Sequence, residues 1–145
     1  MFRPALLLLT LLFGNAVFAQ TESTKVFGDY DVHYSVLNST FITPQVAQAY
    51  GIVRGKDRAL INIAVRKRLG RGVTKAKKSI VSGSSSDLIH SAELQFTEIT
   101  EQESIYYIAE LRFNNKELRT FTINIQPDPN IAPYTLKFNK TLYFN

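Results

Sequence analysis

Residues 27–51, FGDYDVHYSVLNSTFITPQVAQAYG, pass from a two-residue alternation into a single helical turn or two, and that change decides the fold class. Tyr30, Val32, Tyr34 and Val36 alternate with Asp31, His33 and Ser35, giving an extended segment one apolar and one polar face. Thr43 is then placed to cap a helix, Pro44 suits its first position, Val46, Ala47 and Tyr50 share a face, and Gly51 suits its end. The helix predicted near residues 44–50 is therefore short, and the segment as a whole is built for sheet packing.

Working outward, the same alternation recurs. Ala59, Ile61, Ile63 and Val65 line one face of a second predicted strand, and Leu69-Gly70-Arg71-Gly72 turns it back toward a third over residues 76–82. Gly83 to Asp87 has loop composition, and residues 88–100 alternate until Ile99 breaks phase, as at a bulge. Ile105, Tyr107, Ala109, Leu111 and Phe113 form the cleanest two-residue period in the chain. Phe121, Ile123 and Ile125 give the next strand, a proline-bearing loop follows over 126–133, and Tyr134, Leu136, Phe138 and Leu142 alternate to the end. About seven strands with turn signals between them, one short helix and no long helical period predict an all-β fold, an antiparallel two-sheet sandwich of immunoglobulin-like type. Ten Phe and seven Tyr are enough to fill such an interior, and no cofactor is expected.

The first residues, MFRPALLLLTLLFGNAVFA, place one cation, then an apolar run, then small residues, the order of a secretory signal peptide cut after Ala19. The apolar run is shorter than the roughly 20 residues that span a bilayer, so no transmembrane segment is expected in the mature chain. The predicted organisation is a signal peptide over 1–19 and a single β-sandwich domain over 20–145. The absence of cysteine excludes thiolate zinc sites, iron–sulfur clusters and thiol catalysis, and export without cysteine fits a bacterial periplasm.

The net charge of +5 is unevenly spread. Ten Lys and Arg residues between Arg54 and Lys78 face one acid, Asp57, whereas the chain from Ser79 onward is slightly acidic. Arg66, Lys67, Arg68, Arg71, Lys75, Lys77 and Lys78 fall on the predicted hairpin and beside its tip, where their summed potential attracts anions. An exported protein meets no nucleic acid, so the expected partner is an anionic envelope component or an acidic protein. The plainer reading of the same residues is charge that guards an exposed strand edge against aggregation.

Catalysis is not expected. Asp29, Asp31, His33 and Ser35 lie about 7 Å apart along one strand face, so a straight strand cannot converge them on one reacting atom. Asp31 and His33, with His90 as the second imidazole, are the candidates for a small-ligand or metal-binding alternative, although no short ligand spacing supports a metal site. Gly70-Arg71-Gly72 opens no helix as a phosphate loop must, and Ser82 to Ser86 carries no nucleophile elbow. A structural envelope component with an open strand edge is a third possibility.

The runs FGDYDVHYSVLNSTFITPQVAQAYGIVR, SIYYIAELRF and PYTLKFNKTLYF resemble a family of small exported bacterial domains of unknown function. The resemblance spans most of the chain after residue 19. It implies an exported sandwich-like domain and carries over no activity, cofactor or site residue; the basic hairpin lies outside the resembling runs.

Overall fold

The computed structural model of the protein describes residues 22–145; the predicted signal peptide at residues 1–19 lies outside them. Among the described residues ten strands form two antiparallel sheets: β1 (Ser23–Phe27), β2 (Tyr30–Asn38), β3 (Arg58–Gly70), β4 (Val73–Ala76), β5 (Ile80–Ser86), β6 (Ser91–Leu94), β7 (Thr97–Glu101), β8 (Ser104–Arg112), β9 (Glu117–Gln126) and β10 (Tyr134–Leu142). The larger sheet runs β1-β2-β3-β8-β7, with β4 paired to the far end of β3, and the smaller runs β10-β9-β5-β6.

The predicted sandwich is present, with three more strands than the sequence reading counted. The first addition is β1, an edge strand folded back on β2 through Gly28 and Asp29. The third predicted strand is two: β4 ends at Ala76, and the chain leaves the larger sheet through residues 77–79 to begin β5 in the smaller one. Backbone bonds from Lys77 N to Val65 O (2.8 Å) and from Ser79 N to the Tyr107 hydroxyl (2.8 Å) hold that crossing. The fourth is also two, β6 and β7, which lie in different sheets, so the phase break before Ile99 marks a crossover rather than a bulge. Gly83 to Ser86 is strand and not loop, paired to β6 on one side and β9 on the other.

The alternation read from the sequence points where it was expected to. Tyr30, Val32 and Val36 of β2, Ala59, Ile61, Ile63 and Val65 of β3, Tyr107, Ala109 and Leu111 of β8, and Phe121, Ile123 and Ile125 of β9 are buried between the sheets. Aromatic rings line one side of the interior: Phe27 stacks on Tyr134 at 5.1 Å and Tyr34 meets Phe138 at 4.6 Å across the layers, while Phe138 stacks on its ladder partner Phe121 at 5.0 Å within the smaller sheet. Such contacts add to the stabilisation that burial of the rings gives.

The helix α1 (Pro44–Tyr50) covers part of the outer face of the larger sheet, with Ile42, Val46 and Ala47 against Leu60 and Ile108. Thr43 Oγ1 accepts from Val46 N at 3.3 Å, and Gly51 ends the helix in the left-handed region at φ 67°. This second cluster explains why Leu60, on the face opposite Ile61, is apolar as well.

Candidate functional site

The β3–β4 hairpin is where the core stops and the strand does not. Val65 is the last buried residue of β3, and residues 67–70 are exposed. β3 is flanked by β2 as far as Lys67, which lies opposite Tyr30, and by β4 from Arg66 onward, with Lys67 directly opposite Lys75. Paired residues of an antiparallel ladder project to the same face, so Lys67 and Lys75 share the face that Ile61, Ile63 and Val65 present to the core further along. The turn itself carries three successive positive φ angles, Gly70 at 92°, Arg71 at 56° and Gly72 at 73°, which place Arg71 at the tip.

All seven basic residues singled out in the sequence lie on this hairpin or its exit, but the register divides them between two faces. Arg66 and Arg68 point to the outer side, with Asp31 opposite Arg66. Arg66 is half-buried and donates to Thr74 Oγ1 (2.7 Å) and Thr74 O (3.0 Å). Arg68 pairs with Asp31 at 2.5 Å and donates to the Gly28 carbonyl, which ties the hairpin to the β1–β2 turn. Lys78 stands 3.8 Å from Glu98. Lys67, Arg71, Lys75 and Lys77 have no acidic partner among the described residues.

Edge protection accounts for Lys75 on the short outermost strand β4. It does not account for Lys67, whose strand has a neighbour on both sides at that position. A like-charged pair directly across a ladder weakens the pairing, so the Lys67–Lys75 contact is a local cost that edge protection alone does not require.

Two exposed apolar side chains on the same hairpin escaped the sequence reading. Leu69 is 56% and Val73 55% exposed; Val73 shares the face of Lys75 two residues along β4, and Leu69 follows Lys67 by two residues at the register shift between Arg68 and Gly70. The signal was available: Leu69 continues the odd-numbered series of Ile61, Ile63 and Val65. It was masked because Leu69 also begins the glycine-bearing turn.

The candidates for the alternative site are kept apart. Asp31 is engaged by Arg68, and His33 Nδ1 lies 3.0 Å from both Thr24 Oγ1 and Glu22 Oε1. His90 sits in the β5–β6 turn of the other sheet, 3.9 Å from Asp87. Among the described residues no three His, Cys, Asp or Glu side chains come together as a metal-holding group. His33 does border a small cleft of about 160 Å³ where β3 is left uncovered between the end of its pairing with β8 at Ile63 and the start of β4. Between Leu60 and Ala64 on the same strand face, the buried Asn62 has an Oδ1 atom without a hydrogen-bond partner. A wider, open cleft of about 440 Å³ lies on the outer face of the smaller sheet, between Ser82, Ser84, Thr122 and Asn124 and the crossing strand at Glu93 to Phe96.

Comparison with known proteins gives this geometry a family. No curated protein matches the sequence. Two structures of FetP from uropathogenic Escherichia coli strain F11 are 11% identical: one as isolated after expression in the periplasm, with a TM-score of 0.63 over 88% of this chain and 99% of that one. The other is a copper-bound variant, with a TM-score of 0.61 over 88% and 100%. Likeness at that identity is likeness of fold. The crystal structure of a DUF4426 family protein from Pseudomonas aeruginosa PAO1 is 34% identical, with a TM-score of 0.73, over 86% of this chain and 96% of that one. A family model matches residues 24–145, all but two of the described residues, and by it the chain belongs to the family described as a domain of unknown function, DUF4426.

Proposed function

We propose that the protein is an exported, non-catalytic interaction module of the bacterial envelope that contacts anionic partners through the β3–β4 hairpin. The observation that carries this reading is the Lys67–Lys75 pair with Arg71 at the tip, cations that no acid of the described residues neutralises. Arg66 and Arg68 serve a different purpose in it: their bonds to Thr74, Asp31 and Gly28 stiffen the hairpin that presents the other cations. Export of residues 20–145 after removal of 1–19 places the hairpin among lipid headgroup phosphates, lipopolysaccharide and acidic proteins, each a ligand for clustered cations at moderate ionic strength.

A metal-binding role, suggested by the copper of the FetP variant, ranks second. It would have to use Asp31 and His33, which already have Arg68, Thr24 and Glu22 as partners.

Retention on phosphocellulose tests the first reading. Lys67→Glu with Lys75→Glu replaces one like-charged pair by another, so the ladder keeps its local repulsion while the sign of the face reverses. The double variant is expected to elute at much lower salt than the parent protein. Arg71→Gly removes the tip cation and also relieves a left-handed backbone position that only glycine occupies freely. It is expected to elute earlier with undiminished stability; elution unchanged in both variants refutes the reading.

A further inference from the structure

We propose that the β3–β4 tip is a lipid-surface anchor, in which Leu69 and Val73 enter an anionic bilayer while Lys67, Lys75 and Arg71 meet its phosphates. This rests on the anion-contacting reading above and names both the partner and two further residues.

Along the inner face of β3, Val65 is the last buried residue and Lys67 comes next, in one row with Tyr30 of β2 and Lys75 of β4; Leu69 and Val73 lie beyond that row toward the turn. The ladder shifts register between Arg68 and Gly70, so Val73 pairs with Gly70 and Leu69 has no ladder partner; two residues along a strand is a step of about 7 Å. A bilayer approached from water presents phosphates first and hydrocarbon behind them, over a similar depth. The hairpin thus offers its cations at the level of the phosphates and its apolar pair one layer deeper. Arg71 extends past the apolar pair, but its long stem lets the guanidinium reach back toward the phosphates.

An acidic protein partner would match the cations and leave the apolar pair to a groove of particular shape; a bilayer accepts any apolar outline. Guarding a strand edge leaves Leu69 and Val73 unexplained, since exposed branched side chains on a projecting hairpin favour aggregation. Arg68 at the base, bonded to Asp31 and to the Gly28 carbonyl, and Arg66, bonded to Thr74, keep the hairpin rigid, so little ordering is lost when it docks.

Flotation with phosphatidylcholine vesicles containing roughly 30% phosphatidylglycerol, against pure phosphatidylcholine, tests this in the full mature chain. Each cation near such a surface strengthens binding by roughly fivefold, and burying two half-exposed aliphatic side chains by roughly tenfold or more. Leu69→Ser with Val73→Ser is expected to lower vesicle affinity at least tenfold while elution from phosphocellulose stays as in the parent. Lys67→Glu with Lys75→Glu is expected to lose both. Unchanged vesicle binding by the serine variant would overturn the anchor and leave the anion reading standing. Unchanged vesicle binding and unchanged elution by the charge variant would overturn both. Because the chain has no tryptophan, Val73→Trp supplies a second readout. Its emission is expected to shift to the blue on anionic vesicles, and an unshifted spectrum with vesicle-bound protein also overturns the anchor.

Discussion

At Gly83 a Cβ would stand 2.5 Å from the carbonyl oxygen of Thr122 and 2.9 Å from the end of the Ile123 side chain. The first of these is backbone and cannot swing aside. Gly83→Ala is therefore expected to destabilise the protein by about 2 kcal/mol through overpacking. Ser84→Ala, next along the strand and facing an open cleft, is expected to change stability by less than about 0.5 kcal/mol. Urea unfolding midpoints of the two variants check this, and equal midpoints would show that the β5–β9 approach is looser than described. The same residue shows what the sequence withheld. Gly-Ser-Ser-Ser reads as loop because these residues gain little from a pleated surface, yet pairing on both sides fixes them as strand. Ser85 is fully buried because Arg119 Nε donates to its hydroxyl at 2.9 Å, a contact 34 residues distant in sequence that no local pattern announces.

Among the elements, β9 carries the clearest division of labour. Its inner face is apolar at Phe121, Ile123 and Ile125, and ionic at Glu117 and Arg119. Arg119 is buried, bonded to Glu117 Oε1 at 2.9 Å and to both the hydroxyl and the carbonyl of Ser85, and 3.9 Å from Asp87. It closes the end of the sandwich from which the Asp87–His90 turn projects, and Asp87 Oδ1 in turn accepts from the amides of Ile89 and His90. Removing one member of a buried ion pair strands the other, so Arg119→Ala is expected to cost about 3 kcal/mol. Thermal unfolding shows it, and a loss within the scatter of surface substitutions would mean that Glu117 is fully solvated without its partner. The strands with strict alternation, β2, β3, β8, β9 and β10, were legible because burial on one face imposes the period. Where β4 gives way to β5, and β6 to β7, the chain changes sheet within three residues, and a change of sheet leaves no mark on a pattern that records only inside and outside. The basic hairpin was legible as a concentration of charge. Its division into outward arginines with partners and inward lysines without them follows from register, which only the paired strand supplies.

For the whole molecule, tyrosines in or beside the two apolar clusters set how stability responds to alkali. Burial raises Tyr30 and Tyr107 above the ordinary 10.0, and burial with the hydrogen bond to Glu101 pushes Tyr50 up to about 12. A phenol whose folded pKa exceeds its unfolded one stabilises the fold fully below pH 10, and that contribution is lost as pH climbs to the folded value. Lys140, half-buried and donating to the Val36 carbonyl at 2.9 Å, acts in the opposite sense: burial lowers its pKa from 10.5, so stability rises as pH approaches 10.5 and no further. Above that point Lys140 no longer offsets the tyrosines, and stability is expected to fall between pH 10.5 and about 12. Tyr50 joins α1 to the end of β7 through Glu101, so its ionisation would set two negative charges side by side and detach the helix from the larger sheet. Tyr50→Phe keeps the ring in the second cluster and abolishes the titration. Urea midpoints compared at pH 8, 10.5 and 12 are expected to fall less steeply in the variant, while its stability at pH 8 is lower by the hydrogen bond it lacks. Parallel curves would mean that Tyr50 ionises freely in the folded state and that the Tyr50–Glu101 bond does not hold the helix.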